Sequence, residues 1–174
     1  MDTTSSMDMD YLLTILPASI KIELTKFLHK NNIYIIDFLK NRPDSFYLNY
    51  LEKFRPVRFE KGDLIFEAGK KPREIYLSFG GKIINFHTNR IFVAGSMIGQ
   101  DDILFNRDRE HTYKAHSELF ALKLEREIFE KMMKEFSEIR DELLAEANER
   151  KKYAKHLDST RRAIYNKEAK TVIK

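Results

Sequence analysis

Apolar residues along this chain follow three rhythms, and the changes between them mark its parts. Pro17 after Leu16 suits the first turn of a helix, where its missing N–H has no partner to lose. Ile20, Leu24, Phe27 and Leu28 then recur at helical spacing. Ile33, Ile36, Phe38 and Leu39 predict a second, short helix that Asn41 and Pro43 end. Asp44 or Ser45 is the expected cap of a third, which carries Phe46, Leu48, Leu51 and Phe54. At Pro56 the texture shortens. Val57 and Phe59, Leu64 to Phe66, Ile75 to Leu77, Ile83 to Phe86 and Ile91 to Val93 sit in brief runs, punctuated by Gly62, Gly69, Gly80-Gly81, Gly95 and Gly99. T-Y-K-A-H (112–116) and L-F-A-L-K-L (119–124) read as two more strands. Short strands at such regular intervals predict a small barrel or jelly roll. From Glu125 the helical period returns. Ile128, Phe129, Met132, Met133 and Phe136 form one amphipathic segment, and Ile139, Leu143, Leu144 and Ala147 continue on another after a break near Ser137. The fold class is therefore α+β: a small β jelly-roll barrel flanked by N-terminal linker helices and C-terminal amphipathic helices.

This divides the chain into a disordered leader (1–10), a helical linker (11–55), a barrel with its C-terminal helices (56–155) and a basic tail (156–174). Its 174 residues, 43% of them hydrophobic, suffice for one cored domain with a helical extension. Cysteine is absent, which excludes disulfides, thiolate metal sites and a Cys nucleophile and fits a reducing compartment. No apolar run is long enough to span a bilayer, and no charged-then-apolar signal opens the chain, so the expected location is cytoplasmic. The net charge of +4 is uneven: from Arg150 to Lys174 nine Lys/Arg face only Asp158 and Glu168. Such a run suits an acidic lipid or nucleic-acid surface, and equally the solvated end of a helix.

Catalysis finds little support. The histidines at 29, 87, 111, 116 and 156 show no H-x-H spacing, and no G-x-S-x-G, P-loop or H-E-x-x-H occurs. Asp101-Asp102 diverge in direction at an expected helix start, where acids offset the helix dipole. The chain reads as a non-enzyme without metal or cofactor. Too few residues follow Arg150 for a helix-turn-helix, and Tyr153 and Tyr165 are sparse stacking platforms, so nucleic acid is not an expected partner.

The densest chemistry lies in G-S-M-I-G-Q-D-D-I-L-F-N-R-D-R-E-H-T-Y-K-A (95–115). A glycine turn opens a short acidic and apolar run, and arginines return before the next strand. Amides at a helix start together with a guanidinium are the chemistry of a phosphate cradle.

Three stretches now carry a resemblance. I-G-Q-D-D-I-L (98–104) with R-E-H-T-Y-K-A (109–115) resembles the phosphate-binding cassette of the cyclic-nucleotide-binding domain. F-E-K-G-D-L-I-F-E-A-G (59–69) resembles that domain's first barrel hairpin. L-P-A-S-I-K-I-E-L (16–24) is similar to the linker helix of the form found behind the pore of cyclic-nucleotide-gated and related cation channels. The resemblance implies an eight-stranded jelly roll that binds cAMP or cGMP and acts as a regulatory module, its C-terminal helix closing over the base through Ile139, Leu143 and Leu144. It also implies as partners a channel's transmembrane region or other subunits, in a homo-tetramer on the cytosolic face. Carried over by position, Arg109 is the phosphate arginine, Gly99 the cassette glycine, Thr112 the hydroxyl at phosphate or base, and Arg150 a helix residue facing the purine. Gln100 and Asp101 lie at the cassette helix start. The family's ribose-binding glutamate is Gln100 here, a neutral acceptor in place of a charged one, worth about 1–2 kcal/mol less. Glu110 and His111 replace small residues, and Glu110 adds negative charge near the phosphate position. The alternative is a nucleotide-independent scaffold or oligomerisation module with a degenerate pocket.

Overall fold

The computed structural model describes residues 29–172 continuously, together with Pro17, Ser19, Ile20 and Ile22. The expected leader and most of the first predicted helix, with Leu24, Phe27 and Leu28, lie outside these residues. Contacts divide the chain between Glu130 and Lys131 into two compact units. The expected 56–155 segment thus includes residues of both.

The first unit opens with helix α1 (Lys30–Ile35) and a 3-10 turn at Asp37–Leu39, followed by α2 (Asp44–Tyr50) and a second 3-10 turn at Leu51–Lys53. The predicted helix over Ile33–Leu39 is thus two pieces. Ile36 is extended, with ψ 109°, which swings Phe38 and Leu39 inward. Helix α2 starts with Pro43 at the cap position and no side-chain cap bond, so neither Asp44 nor Ser45 caps it. An aromatic cluster joins these pieces: Phe46 stands edge-on to Phe38 and to Tyr47, with ring centroids 6.0 and 5.8 Å apart. The Tyr47 hydroxyl donates to the Leu39 carbonyl (2.8 Å) and accepts from the Arg42 N–H (3.1 Å). The phenol thereby satisfies two backbone groups at the non-helical bend between α1 and α2.

Eight strands follow: β1 (Arg55–Phe59), β2 (Leu64–Phe66), β3 (Glu74–Gly80), β4 (Ile83–Asn85), β5 (Ile91–Phe92), β6 (Met97–Ile98), β7 (Tyr113–Ala115) and β8 (Leu119–Glu125). They pair antiparallel in two four-stranded sheets, ordered β1-β8-β3-β6 and β2-β7-β4-β5. Chain-adjacent strands mostly fall in different sheets. This is the jelly roll expected from the sequence, and the fold is α+β. Ile65, Phe66, Tyr76, Ile83, Ile98, Ala115 and Leu119 fill the space between the sheets. On β3 the alternation of faces puts Tyr76 in that core and Ile75 and Leu77 on the opposite side, yet both are fully buried, so this strand is covered on both faces.

Strand β6 leads into the 98–104 segment. It pairs with β3 in the register Tyr76↔Ile98 and Leu77↔Met97. Ser78 fastens the turn before it: its N–H donates to the Ser96 carbonyl, its hydroxyl to the Val93 carbonyl, and its carbonyl accepts from the Gly95 N–H (2.9, 2.9 and 2.7 Å). Helix α3 (Gln100–Leu104) leaves directly from β6, and the chain returns through β7 to β8.

Helix α4 (Arg126–Glu135) spans the division between the units, and α5 (Ser137–Val172) makes up most of the second. The break expected near Ser137 separates them. In the second unit Met132, Met133, Ile139, Leu143 and Ala147 are buried. Residues 156–172, expected as a tail, continue the helix.

The β3–β4 turn fixes how the sheets meet. Gly81 has φ +84°, and a Cβ there would lie 2.0 Å from the Glu118 carbonyl oxygen. Lys82 binds the neighbouring β7–β8 turn, accepting from the His116 N–H (2.8 Å) and donating to the Ser117 hydroxyl (3.0 Å). Gly81→Ala is expected to cost about 2–4 kcal/mol of stability, because strained backbone and a clash with main chain add. Urea unfolding measures this, and a loss under about 0.5 kcal/mol would show that the turn can shift apart freely.

Candidate functional site

Arg109 reaches its place through backbone zipping rather than side-chain reach. Its N–H donates to the Lys70 carbonyl and its carbonyl accepts from the Gly69 N–H, both at 2.8 Å, so the loop before β7 is clamped to the β2–β3 turn. Upstream, Asn106 at φ 47° ends helix α3 and turns the chain back, while the Arg107 N–H returns to the Asp102 carbonyl (2.9 Å).

The Arg109 guanidinium therefore points inward. The residue is 3% exposed, so it is not a surface ion pair. Nη1 donates to the Gly99 carbonyl at 2.7 Å, and Nη2 donates to the Glu74 carbonyl. The planar group lies 3.9 Å from the centre of the Phe66 ring, a close cation–π stack. A carboxylate oxygen of Asp102 lies 3.7 Å from Nη1. Asp102 is itself 7% exposed, and its other oxygen accepts from Arg107 Nε at 3.0 Å.

Gly99 makes this packing feasible. It caps α3 with φ +91°, and a Cβ on it would sit 2.7 Å from Arg109 Nη1. Gln100 follows, 6% exposed, and its Oε1 accepts no hydrogen bond although it is shielded from solvent. A buried acceptor in that state costs about 1–3 kcal/mol. Asp101 is half-buried in the first turn of the helix. Thr112 Oγ1 accepts from the Ala68 N–H (3.1 Å), and the Thr112 N–H donates to His87 Nδ1 (3.2 Å). The hydroxyl proton is what this residue has to offer a ligand. Glu110 turns to Arg107 Nη2 at 2.6 Å, so its charge is met there. Arg150 lies on α5 in the second unit, where Nη1 is 3.3 Å from Glu146 Oε2.

The structure thus assembles Gly99, Gln100 and Arg109 at one end of the sandwich and places Thr112 just before strand β7. The sequence gives Asp102 only as an acid at a helix start and does not point to Phe66 or the carbonyl of Glu74; these three complete the guanidinium's surroundings. Burial pushes the Asp102 carboxyl above the ordinary carboxylate value of 3.8, against the pull of Arg107 and Arg109. Burial also lowers the Arg109 value, against the opposing pull of Asp102 and Glu74. Desolvation therefore outweighs pairing at both partners. Among the described residues no group of three or more His, Asp or Glu side chains is arranged to hold a metal ion, and no helix is long and apolar enough to cross a membrane.

No protein-family model and no curated protein matches the sequence. Solved structures match the fold. One is cAMP-bound PfPKA-R (141–441), at a TM-score of 0.61 and 14% identity over 74% of this chain and 46% of that one. Another is a mutant regulatory subunit of a cAMP-independent protein kinase A from Trypanosoma brucei, bound to cAMP in the A site, at 0.52 and 19% identity over 60% of this chain and 42% of that one. This chain shares their fold and spans less than half the length of either.

Two outcomes test the electrostatics. Arg109→Ala is expected to destabilise the protein by about 3–5 kcal/mol, since it leaves Asp102 and two carbonyls without their buried partner; chemical denaturation reads it, and a loss below about 1 kcal/mol would place the guanidinium in water. The second concerns pH. With the folded value of Asp102 raised, the unfolded chain releases that proton first as pH rises. The group's contribution to stability is therefore complete below pH 3.8 and is lost as pH rises through the raised value. The difference in unfolding free energy between the native protein and Asp102→Asn should fall across that window and level off above it. A difference that does not change with pH would mean that folding leaves the proton affinity of Asp102 unaltered.

Proposed function

We propose that this chain is a cyclic-nucleotide-sensing regulatory module that binds cAMP or cGMP at the β6–α3 end of its jelly roll. Gln100 Oε1 carries the reading: a buried acceptor without a partner, on the helix whose first residues stand beside an inward-facing arginine. A ribose hydroxyl is a donor of the right kind for that oxygen, and a cyclic phosphate is the anion a guanidinium takes. Thr112 contributes its hydroxyl proton, and Gly99 supplies the turn that keeps backbone and guanidinium close. The cAMP-bound proteins of the same fold support the ligand class.

The finer reading is the form of this module that sits behind the pore of a cation channel, with that channel's other subunits as partners in a homo-tetramer. The similarity of residues 16–24 to the channel linker supports it. So does the placement of α1, α2 and the barrel in one compact unit, which gives a ligand-dependent change in the barrel a direct path to the linker helices. A second reading, a nucleotide-independent scaffold, draws on one observation: Arg109 already has a carboxylate beside it in Asp102.

Calorimetric titration of the chain with cAMP and with cGMP separates the two. Binding heat, with an accompanying rise in melting temperature, is expected from at least one of them. Silence from both up to millimolar concentration would favour the scaffold. Gln100→Glu, which supplies a charged acceptor to the same hydroxyl, is expected to tighten binding about tenfold; unchanged or weaker affinity would remove the ribose from that position.

A further inference from the structure

We infer that Asp102 is a specificity-determining residue, a built-in anion that competes with the ligand's phosphate for Arg109. The inference rests on the cyclic-nucleotide reading of the site. Asp102 projects from the middle of α3 and is almost fully buried, with one carboxylate oxygen 3.7 Å from Arg109 Nη1. The other oxygen lies 3.0 Å from Arg107 Nε. The carboxylate is thus held between two arginines that differ in exposure. The Arg109 side chain is 1% exposed and fixed by Gly99, Glu74 and Phe66, whereas that of Arg107 is 33% exposed and also pairs with Glu110.

An arriving cyclic phosphate carries one negative charge. In the interior two like charges a few ångströms apart repel strongly, so the phosphate and an ionised Asp102 cannot both sit at Arg109 without cost. Arg107 offers the way out. It retains the carboxylate while Arg109 turns to the phosphate, so the exchange needs no new partner for Asp102. Ligand affinity is then set by the difference between two anions at one guanidinium, and an uncharged nucleoside meets no such competition.

The test is titration of the chain and its variants with cAMP, cGMP and adenosine at neutral pH. Asp102→Asn is expected to bind the cyclic nucleotide at least about tenfold tighter than the native chain, with adenosine affinity unchanged. Asp102→Ser, which keeps an acceptor for Arg107 and removes the charge, is the second variant should the amide disturb folding. Arg107→Gln is expected to act in the opposite direction and weaken the cyclic nucleotide, because Asp102 is left to Arg109 alone. Equal affinity of the native chain and the uncharged variants overturns the role of Asp102 and leaves the nucleotide reading standing. A gain for adenosine as large as that for the cyclic nucleotide also overturns it, since the effect would not run through the phosphate. If neither the native chain nor any Asp102 variant binds either cyclic nucleotide, both inferences fall together.

Discussion

A cation kept out of water is the constraint around which the barrel end is arranged. Burying an unpaired guanidinium costs several kcal/mol even after the surroundings relax. Arg109 is tolerated because groups from separate parts of the chain converge on it: the carbonyl of Gly99 after β6, the carbonyl of Glu74 at the start of β3, the ring of Phe66 on β2 and the carboxylate of Asp102 on α3. Each is held by its own element, so the guanidinium ties both sheets to the β6–α3 segment. The zipped backbone at Gly69 and Lys70 then leaves the arginine no alternative course. A group with five donors and a flat face suits that position, whereas an ammonium would answer fewer of these partners.

The charges around it are balanced at short range. Arg107 meets Asp102 and Glu110, Lys71 meets Asp108 at 2.6 Å, and Arg126 links Asn106 to Glu130. Most of these groups are partly exposed, and pairs of that kind add little stability. Their effect is directional. Glu110, expected from the resemblance to lie near a phosphate, pairs with Arg107. The loop between α3 and β7 therefore carries both signs of charge, each met by a partner nearby.

Much of the fold was legible because its strands are short, apolar and separated by glycine. The runs at 64–66 and 119–124 became β2 and β8 almost unchanged, and the run at 75–77 became part of the longer β3. Strand β6 escaped notice since two residues, Met97 and Ile98, hold too little pattern to register between two glycines. The helix expected over 33–39 broke at Ile36 because packing of Phe38 and Leu39 outweighed the helical spacing. At the site, the glycine turn and Arg109 were readable as chemistry. Asp102 was not. Two adjacent acids at a helix start look like a solvated cap, and only the three-dimensional return of the chain at Asn106 shows that one of them faces inward. The burial of Gln100 was hidden for the same reason, as a polar residue in a five-residue helix has no periodic signal to say which side it lies on.

Gly99 and Arg109 occupy what is in effect a single volume. The space that a methyl group at 99 would need is already filled by Nη1, and the backbone twist at 99 suits no ordinary side chain. Descendants of this chain that give up the arginine are released from half of that prohibition, and those that keep it are bound to keep the glycine. The two positions should therefore drift as a linked pair, with loss of the glycine tolerated only after loss of the guanidinium.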